Sequence, residues 1–386
     1  MANVHTLTTS STRAASTKRS FWSSSIASVR SLQLSLLSFL VTAFVVSLTS
    51  CSDENSAVGT SEEVNAAGKR NSAKVVNVYS ERQEPFIKPL LDRFTAETGI
   101  EVNLLSAKGD ALIVKISQEA KNSPADVLIT SDVARLTRAK NAGLLSPLSE
   151  NLAQKVNQNL RDDQNHWVGL TKRARVFVAK SIEDKAKLPS TYFQMADDVL
   201  GAGLCVRSSS NVYNQSLVAA LITRTDEATV EQWAKGVVSN MARTPQGGDR
   251  DQIRAVAKGE CRYALVNTYY FASMMADEKD QAITRDLQVI WPDQQGYGAH
   301  VNISGIAKVA TAPNPNSAEM LVEFLLSAES QRWYAEANNE YPAVSGISIS
   351  DALKSFGQFK EDDISLTDVG SGNRLAVMVM DRAGWR

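Results

Sequence analysis

The stretch KVVNVYSERQEPFIKPLLDRFTAETGIEVNLL, Lys74–Leu105, sets the fold class. Its opening, KVVNVYS, alternates branched apolar and polar residues and reads as a strand. Phe86, Leu90 and Phe94 then recur at intervals of four, as one face of a helix does, and Gly99 supplies the stop. IEVNLL returns to strand character. Strand, helix and strand in that order predict a parallel sheet with helices on its faces.

The alternation continues. DALIVKISQEAK reads as a helix, ADVLIT as a buried strand and DVARLTRAKNAG as a helix ending at Gly143. HWVGLTKRARVFVAK, His166–Lys180, reads as two strand-like pieces with a basic knot between them. Beyond it, LCVRS, CRYALV, LQVIWP and VNISGIAKV are expected strands. NVYNQSLVAALIT, EATVEQWAKGVVSNM, DQIRAVAKGE, YYFASMMAD, SAEMLVEFLLS and AESQRWYAEANN are expected helices. No internal repeat is visible.

The first fifty residues carry Arg13, Lys18, Arg19 and Arg30 and no acidic residue, and they end in an apolar run from Leu32 to Ser50. A basic region before an apolar one reads as a secretory signal, with a membrane-spanning helix as the competing reading. LTSC, Leu48–Cys51, resembles the lipobox of bacterial lipoproteins, which implies lipidation at Cys51. Residues 51–73 are small, polar and aperiodic, as a flexible linker is. Both readings put the remainder outside the cytoplasm and tethered to a membrane.

What remains is large for one core and ordinary for two lobes. The full 386-residue chain has a formal charge of −1, and losing the leader makes the balance more acidic. That leaves no basic face for nucleic acid or anionic lipid. Cys205 and Cys261 are the remaining cysteines. In an oxidising compartment a lone pair is most simply a disulfide, two free thiols being the other reading.

Two secreted α/β lobes suggest a solute-binding protein, whose ligand sits beyond the carboxyl ends of strands in the cleft between lobes. The competing class, an extracellular α/β hydrolase, lacks support. There is no G-x-S-x-G, H-E-x-x-H or C-x-x-C, and neither His166 nor His300 has a recognisable catalytic setting. A structural or adhesive surface lipoprotein is a third class.

Tyr269 and Tyr270 stand side by side at the end of CRYALVN, where a ligand is expected. Tyr213 lies eight residues beyond Cys205, as Tyr269 lies eight beyond Cys261. If the cysteines are bridged, all three phenols meet at one end of a sheet. Phenols ionise near neutrality only beside a strongly stabilising cation. Three phenolates balance Fe(III), and their hard oxygens suit it, whereas a softer metal would call for Cys or several His.

NSPADVLITSDVARL, HWVGLTKRARV, VRSSSNVYNQSLVAALI, ALVNTYY, HVNISG and NNEYPAV resemble the periplasmic ferric-iron-binding proteins of ABC importers, over nearly the whole chain from Val75 to about Gly346. The resemblance implies a two-lobed, transferrin-like type II solute-binding fold. Its lobes would comprise residues 74–170 with about 300–345, and 171–299 with about 346–386. It also implies Tyr213, Tyr269 and Tyr270 as phenolate ligands of one Fe(III), a Cys205–Cys261 disulfide, and a monomer that delivers iron to a permease.

Where many relatives carry a further His or Tyr ligand after the first strand, this chain has Gln83 and Glu84. Glu84 is a candidate carboxylate ligand and Gln83 a candidate anion contact. A synergistic anion, often carbonate in that family, would fill the remaining positions on iron. Arg173 is the expected anion holder by motif position, with Arg175 on the same face by alternation. Ser209 and Ser210, ahead of a helix, and Asn267 are further candidates. The rival cargo for the same fold is an organic solute or an oxyanion.

Overall fold

The computed structural model describes residues 74–386; the leader, Cys51 and the linker lie outside them. The ten strands among the described residues are β1 (Val75–Ser80), β2 (Glu101–Ser106), β3 (Val127–Thr130), β4 (Leu145–Ser146) and β5 (Trp167–Lys180), then β6 (Leu204–Cys205), β7 (Tyr263–Asn267), β8 (Leu287–Ile290), β9 (Val301–Val309) and β10 (Tyr341–Pro342).

The opening stretch forms β1, a helix over Lys88–Thr98 and β2, with β1 and β2 parallel and paired from Val75↔Glu101 to Ser80↔Ser106. Gly99 ends the helix at φ 69°, a left-handed conformation that glycine adopts without steric cost. The helix starts later than its apolar spacing predicts. Pro85 and Pro89 bracket the start, and a tight turn over Glu84–Phe86 precedes it. Leu90, Leu91 and Phe94 are buried, while Phe86 is 42% exposed.

The strand order is β2-β1-β3-β9-β5-β7-β6, and β4, β8 and β10 pair at the side. β1, β2 and β3 run parallel, and β9 joins β3 antiparallel. β6 and β7 are parallel to each other, and β5 runs antiparallel to both β7 and β8. These are the sheets of two lobes with helices packed on both.

β5 connects them, and here the structure corrects the sequence reading. His166–Lys180 is not two pieces around a knot but one strand of 14 residues, with an irregularity between Gly169 and Thr171. Trp167 to Ala174 pair with β9 in the first lobe, and Arg175 to Ala179 pair with β7 in the second. The basic residues do not break the strand because each is neutralised. Lys172 meets Glu361 at 2.7 Å, Arg173 meets Asp132 at 2.8 Å and Arg175 meets Asp249 at 3.2 Å.

A second crossing enters β9 at Val301, opposite Ala174. A third runs from β10, which pairs with β5, to Glu361, bridged to Ala299. The short helix Leu366–Ser371 then packs against helices of both lobes, Val133–Asn141 and Val212–Arg224. The last helix, Asn373–Arg382, packs on Val212–Arg224 and Glu227–Ser239 of the second lobe.

Cys205 and Cys261 are bonded, with Cα atoms 5.7 Å apart, so β6 is tied to the residues that lead into β7. No helix among the described residues is long and apolar enough to cross a membrane.

Candidate functional site

A cavity of about 380 Å³ opens between the lobes. Its first-lobe wall is Glu81, Arg82 and Gln83, directly after β1, and Ser131, directly after β3. Its second-lobe wall holds Tyr269 and Tyr270, directly after β7. The crossings contribute Arg173, Ser304, Asn338 and Glu340. Both lobes therefore present the carboxyl ends of their parallel strands to one space, as ligand sites of open α/β sheets do.

The three phenols meet here. The Tyr213 and Tyr269 hydroxyls are 3.2 Å apart, within hydrogen-bond distance, and the Tyr269 and Tyr270 rings lie with centroids 4.1 Å apart at 33°. Their placement follows from the local chain. β7 ends at Asn267 in extended geometry and a helix begins at Thr268, so both tyrosines fall in its first turn. Tyr213 sits likewise in the first turn of Val212–Arg224, where Asn211 caps the helix by accepting from the Tyr213 N–H. All three tyrosines thus belong to first helical turns, the positive ends of their helices, where negative charge is favoured.

Burial works the other way. It pushes the Tyr269 phenol well above the ordinary value, and the neighbouring Tyr213 and Tyr270 phenols add to the shift. Tyr270 is pushed up for the same reasons, burial first and then Tyr213 and Asp249. Without a cation these two groups are neutral at pH 7. A hard, highly charged cation among the three oxygens would reverse that. Among the described residues no group of three His, Cys, Asp or Glu side chains is placed to hold a metal, so phenol oxygen is the donor set on offer.

Arg173 lies at the hinge end of the cleft. Its Nη2 donates to Asp132 Oδ2 at 2.8 Å, its guanidinium lies 5.0 Å over the Tyr213 ring, and its buried Nη1 has no hydrogen-bond partner among the described residues. A buried donor left free beside a cavity is a ready anion contact. Asp132 also accepts from Ser216 Oγ at 2.6 Å, and that bond joins the start of a first-lobe helix to a second-lobe helix.

The other candidates are distributed differently. Gln83 lines the cleft at its exposed lip, whereas Glu84 is exposed and is not among the lining residues. Arg175 does not share the cleft with Arg173. Past Ala174 the strand has entered the second lobe, and Arg175 is sunk there against Asp249, Asn267 and Asn214. Asn267 accepts from Arg175 Nη1 through its Oδ1 and donates its backbone N–H to Asp249, and is 1% exposed. Ser209 and Ser210 are outside the lining; Ser210 bonds Ser208, and the Ser209 carbonyl accepts from Gln215. His300 is buried behind the hinge, and burial with Arg173 and Arg175 nearby pushes its pKa down to about 3.

Sequence reasoning missed four charged groups in the lining: Glu81, Arg82, Glu340 and Arg250. Arg82 is ion-paired with Glu340, both nearly buried, and lies 5.0 Å over the Tyr334 ring. Glu81 pairs with Arg135 at 3.0 Å and accepts the Ser131 N–H at 2.9 Å. Arg82 and Glu340 are 258 positions apart, and no local pattern announces their meeting.

Comparison with known proteins bears on this geometry. The family described as bacterial extracellular solute-binding protein matches residues 122–356. Iron uptake protein A1 of Synechocystis is 42% identical over 334 residues, 86% of this chain and 93% of that protein. A Trichodesmium protein solved in complex with iron and citrate superposes with a TM-score of 0.76 at 43% identity, covering 81% of this chain and 100% of that one. The ferric binding protein of Campylobacter jejuni gives 0.77 at 37% identity, with the same share of this chain and all of that one.

Proposed function

Because the chain belongs to the bacterial extracellular solute-binding proteins, we propose that it is a ferric-iron carrier with Tyr213, Tyr269 and Tyr270 as phenolate ligands. The observation that carries the reading is the convergence of these phenols, two of them with hydroxyls 3.2 Å apart, at the strand ends of an interlobe cleft. Three phenolates cancel the charge of Fe(III), and their oxygens suit its hardness. The names of the similar proteins, an iron uptake protein and ferric binding proteins, support the cargo.

A synergistic anion occupies the rest of the coordination shell, held by the free Nη1 of Arg173 and by Gln83 at the opposite lip. The relative solved in complex with both iron and citrate supports an anion that accompanies the iron. Glu84, exposed and off the lining, stays outside the shell, as do Arg175, Asn267, Ser209 and Ser210.

The protein works by capture and closure rather than catalysis. The two lobes shut on the ion by bending at β5 and β9, and the loaded form docks on the permease of an ABC importer. It acts in the periplasm as a monomer, tethered through a lipid on Cys51. Fe(III) and bicarbonate added to the iron-free protein should produce a visible tyrosinate-to-iron charge-transfer band at one iron per chain. A colourless product, with iron recovered in the filtrate, would refute the three-phenolate site.

A further inference from the structure

One of the three phenols is clasped by more positive charge than the others. Two guanidiniums stand over the Tyr213 ring, Arg173 at 5.0 Å and Arg207 at 5.6 Å from its centroid. Tyr270 has one, Arg250 at 6.0 Å, and among the described residues none is so placed over Tyr269. Arg173 lines the cavity, whereas Arg207 is not among the lining residues. Whatever Arg207 does for the cargo, it does through another side chain.

Arg207 is fixed at both ends. Its carbonyl accepts from Asn214 Nδ2 at 2.9 Å and from Trp385 Nε1 at 3.0 Å. Its guanidinium lies 3.3 Å from Asp249. Asp249 is fully buried, also meets Arg175 at 3.2 Å, and accepts the Asn267 N–H at 2.7 Å, two residues before Tyr269. Two cations therefore share one carboxylate, and these three groups together keep one positive charge in excess. Through Arg207 that surplus lies against the Tyr213 ring. Burial works against the Arg207 charge, yet Asp249, Tyr270 and Tyr213 outweigh it and hold its pKa above the ordinary value.

A guanidinium over an aromatic face restrains the ring and draws on its electrons. The attraction is stronger for a phenolate than for a phenol, because the ring then carries a share of a full negative charge. We infer that Arg207 is a positioning residue for Tyr213: aimed by Asp249, its guanidinium holds the ring in its cleft-facing pose and weakens the phenolate as an electron donor. This inference rests on the ferric-iron reading above and goes beyond it, because it makes the three phenolates unequal. Tyr213, clasped by two cations, is the weakest donor of the three.

The tyrosinate-to-iron charge-transfer band reads this directly, because it moves an electron from phenolate to metal. Wild type, Arg207→Gln and Arg207→Lys are saturated with Fe(III) and bicarbonate and their spectra compared. Gln keeps a hydrogen-bond donor for Asp249 and loses the charge, so the phenolate electrons rise in energy and the band should move to longer wavelength. Iron affinity at pH 7, by competition with a colourless chelator, should fall about two- to thirtyfold. Arg207→Lys should return the band most of the way to its wild-type position, which a role in packing alone would not produce. In a Tyr213→Phe background, Arg207→Gln should move the band of the two remaining phenolates far less. A band unmoved by Arg207→Gln at full loading, or moved equally with and without the Tyr213 hydroxyl, overturns the role of Arg207 and leaves the iron site standing. No band in wild type overturns the iron reading and this inference together.

Discussion

Replacing Tyr270 by Phe removes one phenol from the cleft and one proton from the balance of iron capture. Burial, Tyr213 and Asp249 hold the Tyr270 phenol above its ordinary value, so at pH 7 it carries its proton. Binding as a phenolate expels that proton, and the same holds for each phenol that becomes a ligand. Each proton released makes the association constant rise tenfold per pH unit, about 1.4 kcal/mol. Three phenols give about 4 kcal/mol per unit, so capture strengthens as pH rises and weakens as it falls. The variant should lose one of those three decades. In a pH-stat at pH 7, iron-free wild type and variant receive the same ferric chelate and bicarbonate, and the base needed to hold pH is counted. Protons from chelator and bicarbonate are common to both and cancel in the difference. The wild type should consume one more equivalent of base per iron bound than Tyr270→Phe. Equal consumption at equal iron loading would remove Tyr270 from the ligand set and break the argument from buried phenols.

Two further changes separate fold from site. Asp249→Ala leaves the buried Arg175 guanidinium and the Asn267 N–H without their carboxylate, and should destabilise the protein by about 3–5 kcal/mol in urea unfolding. Glu84→Gln changes an exposed side chain outside the cleft, and should leave iron affinity within about twofold by competition titration.

The parts of the site legible in the sequence were those set by local chain order. A strand that turns directly into a helix puts Tyr269 and Tyr270 in one first turn, and the reading of CRYALVN as a strand was enough to place them. Tyr213 required one long-range fact, and the Cys205–Cys261 bond supplies it by tying β6 to the entry of β7. Parallel neighbours that each lead into a helix bring the two first turns to the same sheet end, and the hydroxyl contact between Tyr213 and Tyr269 follows.

What the sequence hid were charges whose partners come from other crossings. KRARV looked like a break because consecutive cations repel, and it is a continuous strand because Glu361, Asp132 and Asp249 arrive from three distant segments to cancel them. The same fact separates the two arginines that alternation put on one face. Arg173 stands before the point where β5 changes sheets, and keeps a free Nη1 at the cleft. Arg175 stands after it and is consumed by the second lobe. A hinge strand therefore assigns function by position along its length rather than by facing. Arg173 stands two residues before Arg175, on the first-lobe side of the handover, and Asp132, which accepts from Arg173 and from the second-lobe Ser216 at once, ties this stretch of the strand to both lobes.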